Sequence, residues 1–386
     1  MKKFLTAKYA CLQSSYWMSA CFFYSFAQVF LIDKGLGVRD VGLILGASSL
    51  AAFLLQPCIA ALIDKNARVN FKNSISAIIA IAILAGAGLF FANGTALVYI
   101  LFITLMTLSL IAQPLINSIG FAYIDRGEKL NYAASRGIGS ACYACIGWVF
   151  GKLANINVDY LLIGYIVLSA LVIIINLLLA PKRSIEARQE AVGGNYALLR
   201  KHPHFFFMLL GMALIFLQHN LINAYLLSIV ERVGGNEGSV GTAVFIAAIL
   251  EVPIMLLYTR IQNRIRVDGL IKWAAVFFTI KSALLLLPFG LWGVYVSQSL
   301  QLAGYAIMIP ATGYYVNAMV CESDKVKGQA LLTTAIVIAG ALGYLLGGVL
   351  IDSWGVFATV AAGTGVSLAG SFLLVVSSKR VSEVKE

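Results

Sequence analysis

Apolar residues fall in long, nearly unbroken runs along the chain, separated by short clusters of charge, glycine or asparagine. Residues 78–94 and then 97–111 are typical: almost wholly apolar and broken only at Asn93-Gly94. A run of about 18 or more apolar residues, wound as a helix, is long enough to cross ~30 Å of hydrocarbon. Reading the breaks in this way predicts twelve spans: 9–32, 40–63, 74–93, 97–124, 132–154, 158–180, 204–230, 239–261, 268–288, 291–320, 327–351 and 356–377. Any one run could be a core helix of a soluble domain. Repetition along the whole chain favours an all-α membrane protein, and an even count puts both termini on one side. Residues 9–32 read as a retained first span; no small-x-small cleavage pattern follows the Lys2-Lys3 start.

Composition points the same way. Of 386 residues, 60% are hydrophobic and 12% charged, against roughly 25% charged in soluble domains. The formal net charge of +11 could suggest a nucleic-acid binder, but the basic residues sit in short loops and not along one face. Of the 28 Lys and Arg, only Lys34, Arg39, Lys152 and Arg232 fall on the side opposite the termini, and Lys281 lies within a span. This positive-inside bias places both termini in the cytoplasm and the chain in the inner membrane, with the bilayer and not nucleic acid as its surroundings. Cys142 and Cys145 have CxxC spacing but no second ligand pair, so neither a metal nor a cofactor is expected.

The longest connection, 181–203, holds Lys182, Arg183, Arg188, Arg200 and Lys201 and divides the spans six and six. It reads as a cytoplasmic linker, partly helical over 185–191, between bundles at 1–180 and 204–386. An internal repeat supports that division. Pro57 and Pro253 are 196 residues apart, as are Arg68 and Arg264, and the same offset links Gly147 and Gly151 to Gly343 and Gly347. The glycines let backbones approach closely and read as packing for a rocking interface.

Two six-span halves in parallel repeat resemble the major facilitator superfamily, and particular stretches narrow the likeness. Residues 42–65, GLILGASSLAAFLLQPCIAALIDK, resemble the second span of the oligosaccharide–proton symporters, as do Tyr16-Trp17-Met18 and Phe22-Phe23 in the first. His219-Asn220, Asn223, Gly234-Gly235, Val240-Gly241 and Glu251-Val252-Pro253 are similar to the phenylpropionate permeases and nucleoside symporters. The resemblance implies twelve transmembrane helices in two pseudo-symmetric bundles. It also implies a gating loop at Asp64, Lys65 and Arg68, although Ala60 and Ala67 replace the family's glycines. By the same likeness, Lys281 takes the place of an essential arginine, and Arg136 and Tyr143 match an Arg and an aromatic ring that bind sugar. It departs at Gln301 and Gly304, where the symporters have His and Glu.

The residues themselves suggest where chemistry could lie. Glu251 is the one acid deep in a span, and a charge at mid-bilayer costs on the order of 2.5–3.5 kcal/mol. It is either a proton-binding carboxylate or one permanently hydrogen-bonded to a neighbouring helix. Lys281 is its natural charge partner, as a structural ion pair or a proton-linked one. Arg136 and Tyr143, two turns apart, share a helix face, although Arg136 could be a loop-end cation and Tyr143 a packing ring. Gln113 and Asn117 flank Pro114, and Gln218, His219, Asn220 and Asn223 form a dense polar stretch; helix glue is the alternative for these. His219 could be a neutral donor or a proton site.

The expectation is a monomeric, proton-coupled symporter of a small polar solute such as a sugar, glycoside or nucleoside. Glu251, Lys281 and His219 would serve coupling, and Gln113, Asn117, Arg136, Tyr143, Gln218, His219, Asn220, Asn223 and Gln301 would line the solute site. An uncoupled facilitator or exporter of a small organic solute, such as an aromatic acid, remains open. A non-transporting sensor would need a signalling appendage. No nucleophile triad, metal cluster or nucleotide loop suggests an enzyme.

Overall fold

In hydrocarbon, a backbone must satisfy its own N–H and C=O groups, which leaves helices as the solution for these apolar runs. The computed structural model describes residues 4–65, 71–179, 203–321 and 324–378, and among them it is helical with no strand. The helices are α1 (Leu5–Ser25), α2 (Ala27–Asp33), α3 (Val38–Lys65), α4 (Phe71–Leu89), α5 (Thr95–Asp125), α6 (Tyr132–Ala154) and α7 (Asp159–Leu179). They continue with α8 (Pro203–Ala224), α9 (Leu226–Arg232), α10 (Glu237–Gln262), α11 (Val267–Leu284), α12 (Gly290–Ser299), α13 (Tyr305–Met319) and α14 (Lys325–Ser377). The expected linker helix at 185–191 and Arg68 lie outside the described residues.

Every one of the twelve expected spans falls on helix, but several are not single rods. The first is bent by 54° between α1 and α2, the seventh breaks at Tyr225 between α8 and α9, and the tenth is split by a 3₁₀ turn at Leu300–Leu302. The last two run together as α14, turned at Gly355 with φ 78° and ψ 168°, a conformation open to glycine because it lacks Cβ. By length and apolarity alone, eight helices among the described residues are fit to cross a membrane, or nine if α1 and α2 form one span. Helix α11 is not among the eight; its 18 residues include Asp268, Lys272 and Lys281.

The chain folds as two compact units: Met1–Gln189 with Glu237–Phe245, and Glu190–Asn236 with Ile246–Glu386. In the first, α1 packs on α6 and α7, and α5 packs on α3 and α4. Phe22, Phe30, Phe102 and Tyr165 interlock at its core, with ring centroids 5.3–6.1 Å apart. In the second, α14 lies along α8, while α11 packs on α13 and α14. Gly343 faces the Leu217 carbonyl and Gly347 faces the Tyr225 ring so closely that a Cβ at either would collide. These two glycines therefore seat α14 tightly on α8 within one unit. This is the close backbone approach expected of them.

The two units share their punctuation. Pro57, Pro114, Pro253 and Pro310 all sit inside helices, and Pro114 and Pro310 stand 196 positions apart, as do Pro57 and Pro253. Gly94 and Gly290, with the same spacing, both have positive φ, of 100° and 57°. An internal proline strips the carbonyl four residues earlier of its N–H donor. For Pro114 that carbonyl is Leu110, and the Gln56 side chain of α3 donates to it at 3.2 Å. We expect Gln56→Ala to lower the unfolding free energy in mixed micelles by about 0.6–1.7 kcal/mol. In a Pro114→Ala background, where the helix N–H returns, the same change should cost nothing; equal cost in both backgrounds would disprove the repair.

Candidate functional site

Helix α1 presents Gln13, Trp17 and Tyr24 at spacings of four and seven, one face of a helix. Helix α6 does the same with Arg136, Ser140 and Tyr143. The two faces meet inside the first unit. The Arg136 guanidinium lies 3.8 Å from the centroid of the Trp17 ring, a cation–π contact. Tyr24 stacks on Trp17 at 6.3 Å and 13°, and Tyr143 meets it edge-on at 6.3 Å. Arg136 Nη1 donates to Ser140 Oγ at 3.0 Å, and the Tyr143 hydroxyl shares a 2.6 Å hydrogen bond with Ser25.

Gln13, fully buried, ties this cluster to α5. Its Oε1 accepts from Trp17 Nε1 at 3.1 Å, and its Nε2 donates to Asn117 Oδ1 at 3.0 Å and to the Tyr9 hydroxyl at 2.7 Å. The structure thus brings together Asn117, Arg136 and Tyr143. Gln113 adds no hydrogen bond to the group among the described residues. Sequence reasoning missed Gln13, Trp17 and Tyr24 as site residues; the available signal was a glutamine four residues before a tryptophan in an otherwise apolar span.

In the second unit the polar stretch of α8 is dealt out in different directions, because successive helical residues point about 100° apart. Gln218 donates to Ser282 of α11 at 2.8 Å, and Ser282 shares a 2.6 Å bond with Thr364 of α14. Asn220 donates to the Phe216 carbonyl in its own helix and accepts from Tyr344 at 3.2 Å. Both amides are engaged in helix packing. His219 instead bonds Asn223 at 3.0 Å, stacks on Tyr305 at 5.2 Å and 23°, and meets Phe278 edge-on at 5.2 Å.

Lys281 of α11 is 2% exposed. Its ammonium donates to Gln301 Oε1 in the 3₁₀ turn, and Ser297 Oγ donates to its carbonyl at 2.7 Å. Glu251, 9% exposed on α10, acts electrostatically on Lys281, which in turn acts on His219. Glu251, Lys281, His219, Asn223 and Gln301 therefore form one polar group in an apolar unit. Asp64 and Lys65 end α3, but their side chains, like Arg68, lie outside the described residues. No cluster of three or more His, Cys, Asp or Glu among the described residues is placed to hold a metal.

A buried charge stripped of its partner is costly, about 3–5 kcal/mol, whereas removing both charges is often neutral. We therefore expect Lys281→Met alone to lower thermal stability in detergent sharply, and Glu251→Gln/Lys281→Met to recover most of the loss. Additive losses would show that the two charges are independent.

Comparison with known proteins gives a consistent picture. A family model described as the MFS_1-like family matches residues 15–362. A candidate sugar efflux transporter of Deinococcus radiodurans is 27% identical over 148 residues, 38% of this chain; the match spans 36% of that protein's length. The crystal structure of the nucleoside transporter NupG superposes with a TM-score of 0.79 at 16% identity, covering 97% of this chain and 99% of that one. A bacterial homologue of the human lysosomal transporter Spinster, inward-facing and unoccupied, gives 0.67 at 13% identity, covering 98% and 97%. At such identities these structures show a shared fold.

Proposed function

Given that the chain belongs to the MFS_1-like family, we propose that it is a proton-coupled symporter of a small polar solute, working by alternating access. It is a multi-pass membrane transporter and not an enzyme, as the family and the transporters sharing its fold establish. The finer reading rests on one observation: Glu251, in a helix long and apolar enough to cross a membrane, and Lys281, on α11, are both buried and near enough for their charges to interact. Intramembrane ionisable pairs mark ion pathways in transport proteins. Glu251 binds the proton. Lys281, already bonded to Gln301, keeps a partner when that carboxylate is neutralised, and His219 with Asn223 completes the polar group.

The solute contacts in the first unit are Asn117, Arg136 and Tyr143, with Trp17 as the platform on which Arg136 rests. A sugar, glycoside or nucleoside suits aromatic rings edged by amide and guanidinium donors. The basic bias of the loops supports cytoplasmic termini in the inner membrane, and the 196-residue repeat supports bundles at 1–180 and 204–386 joined by the linker 181–203. A second reading, uncoupled facilitation or export, is favoured by the partial likeness to a sugar efflux transporter.

The deciding experiment follows external pH in lightly buffered, de-energised cells while sugars, glycosides, nucleosides and aromatic acids are pulsed singly. Alkalinisation with one solute, lost in Glu251→Gln, is the expected outcome. A flat pH trace while labelled solute still equilibrates would leave a facilitator.

A further inference from the structure

A polar site selects between solutes where its donors and acceptors are fixed. The hydroxyls that border the first unit's cluster, those of Tyr24, Ser25, Ser140 and Tyr143, can turn to donate or to accept. An amide has one end of each kind, and the end that faces the solute depends on what holds the other. Asn117 is the amide beside this cluster, and a chain of hydrogen bonds decides which way round it stands.

The chain begins at Trp17. An indole N–H can only donate, so the Gln13 atom 3.1 Å from Trp17 Nε1 is the amide oxygen. The opposite end of Gln13 is then the NH₂, which donates to the Tyr9 hydroxyl at 2.7 Å and to Asn117 at 3.0 Å. The Asn117 atom that accepts is therefore its oxygen. Its NH₂ is the end left over, and no protein acceptor takes it among the described residues.

Gln13 has no room to turn over. It is fully buried, and Gly139 of α6 comes so near that an added Cβ would stand 3.2 Å from Trp17 Cδ1 and 3.5 Å from the Gln13 main chain. On the side of α5 the Tyr9 ring fills the space over Gly120, and its hydroxyl donates onward to the Ile116 carbonyl at 3.3 Å. A flipped Gln13 would set N–H against N–H at Trp17 and oxygen against oxygen at Asn117, leaving buried groups without bonds.

We propose that Gln13 is a positioning residue that sets the hydrogen-bond polarity of the solute site: through it Asn117 presents its NH₂, and the site reads an acceptor atom on the solute. The inference rests on the reading of Asn117 as a solute contact, and it gives α1 a part in selectivity. The same bonds say what would reverse that selectivity. A carboxylate at position 13 accepts from Trp17, Tyr9 and Asn117 alike. Asn117 then turns its NH₂ inward and offers its oxygen to the solute. An apolar side chain at position 13 frees the Asn117 amide to take either orientation.

The test has two arms, both on the full chain at pH 8. The first needs no solute. It follows solvent exchange of the Asn117 side-chain NH₂ by NMR of asparagine-labelled protein in nanodiscs, with Asn117→Leu identifying the signal. We expect rapid exchange in the wild type and exchange slowed about fivefold or more in Gln13→Glu, where the NH₂ is bonded inward. Slow exchange in the wild type, or no change in the variant, would overturn the proposal.

The second arm is counterflow in proteoliposomes with uridine, cytidine, methyl glucoside and the deoxy and deoxyfluoro analogues of each sugar ring. Fluorine keeps the acceptor of a hydroxyl and loses its donor. Asn117→Leu marks the position that Asn117 reads, as the one where changing the group no longer alters KM. There the wild type should favour the fluoro or oxo analogue over its deoxy or amino counterpart about fivefold in KM. Gln13→Met should flatten that preference and Gln13→Glu should invert it. A position marked by Asn117→Leu whose preference ignores both Gln13 variants would overturn the proposal and keep the solute-site reading. If Asn117→Leu alters no position, the reading of Asn117 as a solute contact falls, and the proposal falls with it.

Discussion

Inside a bilayer there is no water to accept a stray hydrogen bond, so each main-chain and polar side-chain group must find its partner within the protein. Much of this structure answers that demand. Ser15, Ser48 and Thr312 turn their hydroxyls back onto carbonyls one turn earlier in their own helices. Thr279 of α11 bonds both Ser367 and Ser371 of α14, and Ser282 with Thr364 extends the same seam. Where Pro114 opens a gap in the helix ladder, Gln56 closes it from α3.

The same constraint shapes the polar groups proposed to serve transport. A guanidinium in an apolar bundle needs a surface that tolerates charge, and the Trp17 face supplies one. A glutamine buried at 0% exposure survives because all three of its bonds are made. Saturation at Gln13 dictates what is unsaturated at Asn117. In the second unit the solution differs: cation and carboxylate are both present, and Gln301 stands by as a neutral acceptor. One unit holds Arg136 against an aromatic face, and the other holds Lys281 on an amide oxygen with Glu251 near enough to act on its charge.

Breaks in the helices serve the site as well. Tyr305 begins α13 after the 3₁₀ turn that carries Gln301, so one interruption delivers both the ring that stacks on His219 and the amide that holds Lys281. A straight helix would have placed these side chains about four residues, roughly 6 Å, apart along one rod. The turn lets them approach different helices.

The sequence determined the class of structure. Apolar runs of membrane length admit helices and little else, and all twelve expected spans lie on helix. The 196-residue repeat was legible in Pro57 and Pro253, and Pro114 and Pro310 extend it. Glu251 and Lys281 could be singled out because a charge in an apolar run is visible without a fold. What only tertiary structure decided was direction and partner. Gln218, His219 and Asn220 are neighbours in sequence, yet only His219 joins the Lys281 group, since 100° of rotation per residue sends the other two to Ser282 and Tyr344. Trp17 stood out in the sequence only as part of the Tyr16-Trp17-Met18 likeness, and its place under Arg136, more than a hundred positions away, came from packing. Spacing along one helix says which side chains share a side; the neighbour they meet is set by packing, which no local pattern encodes.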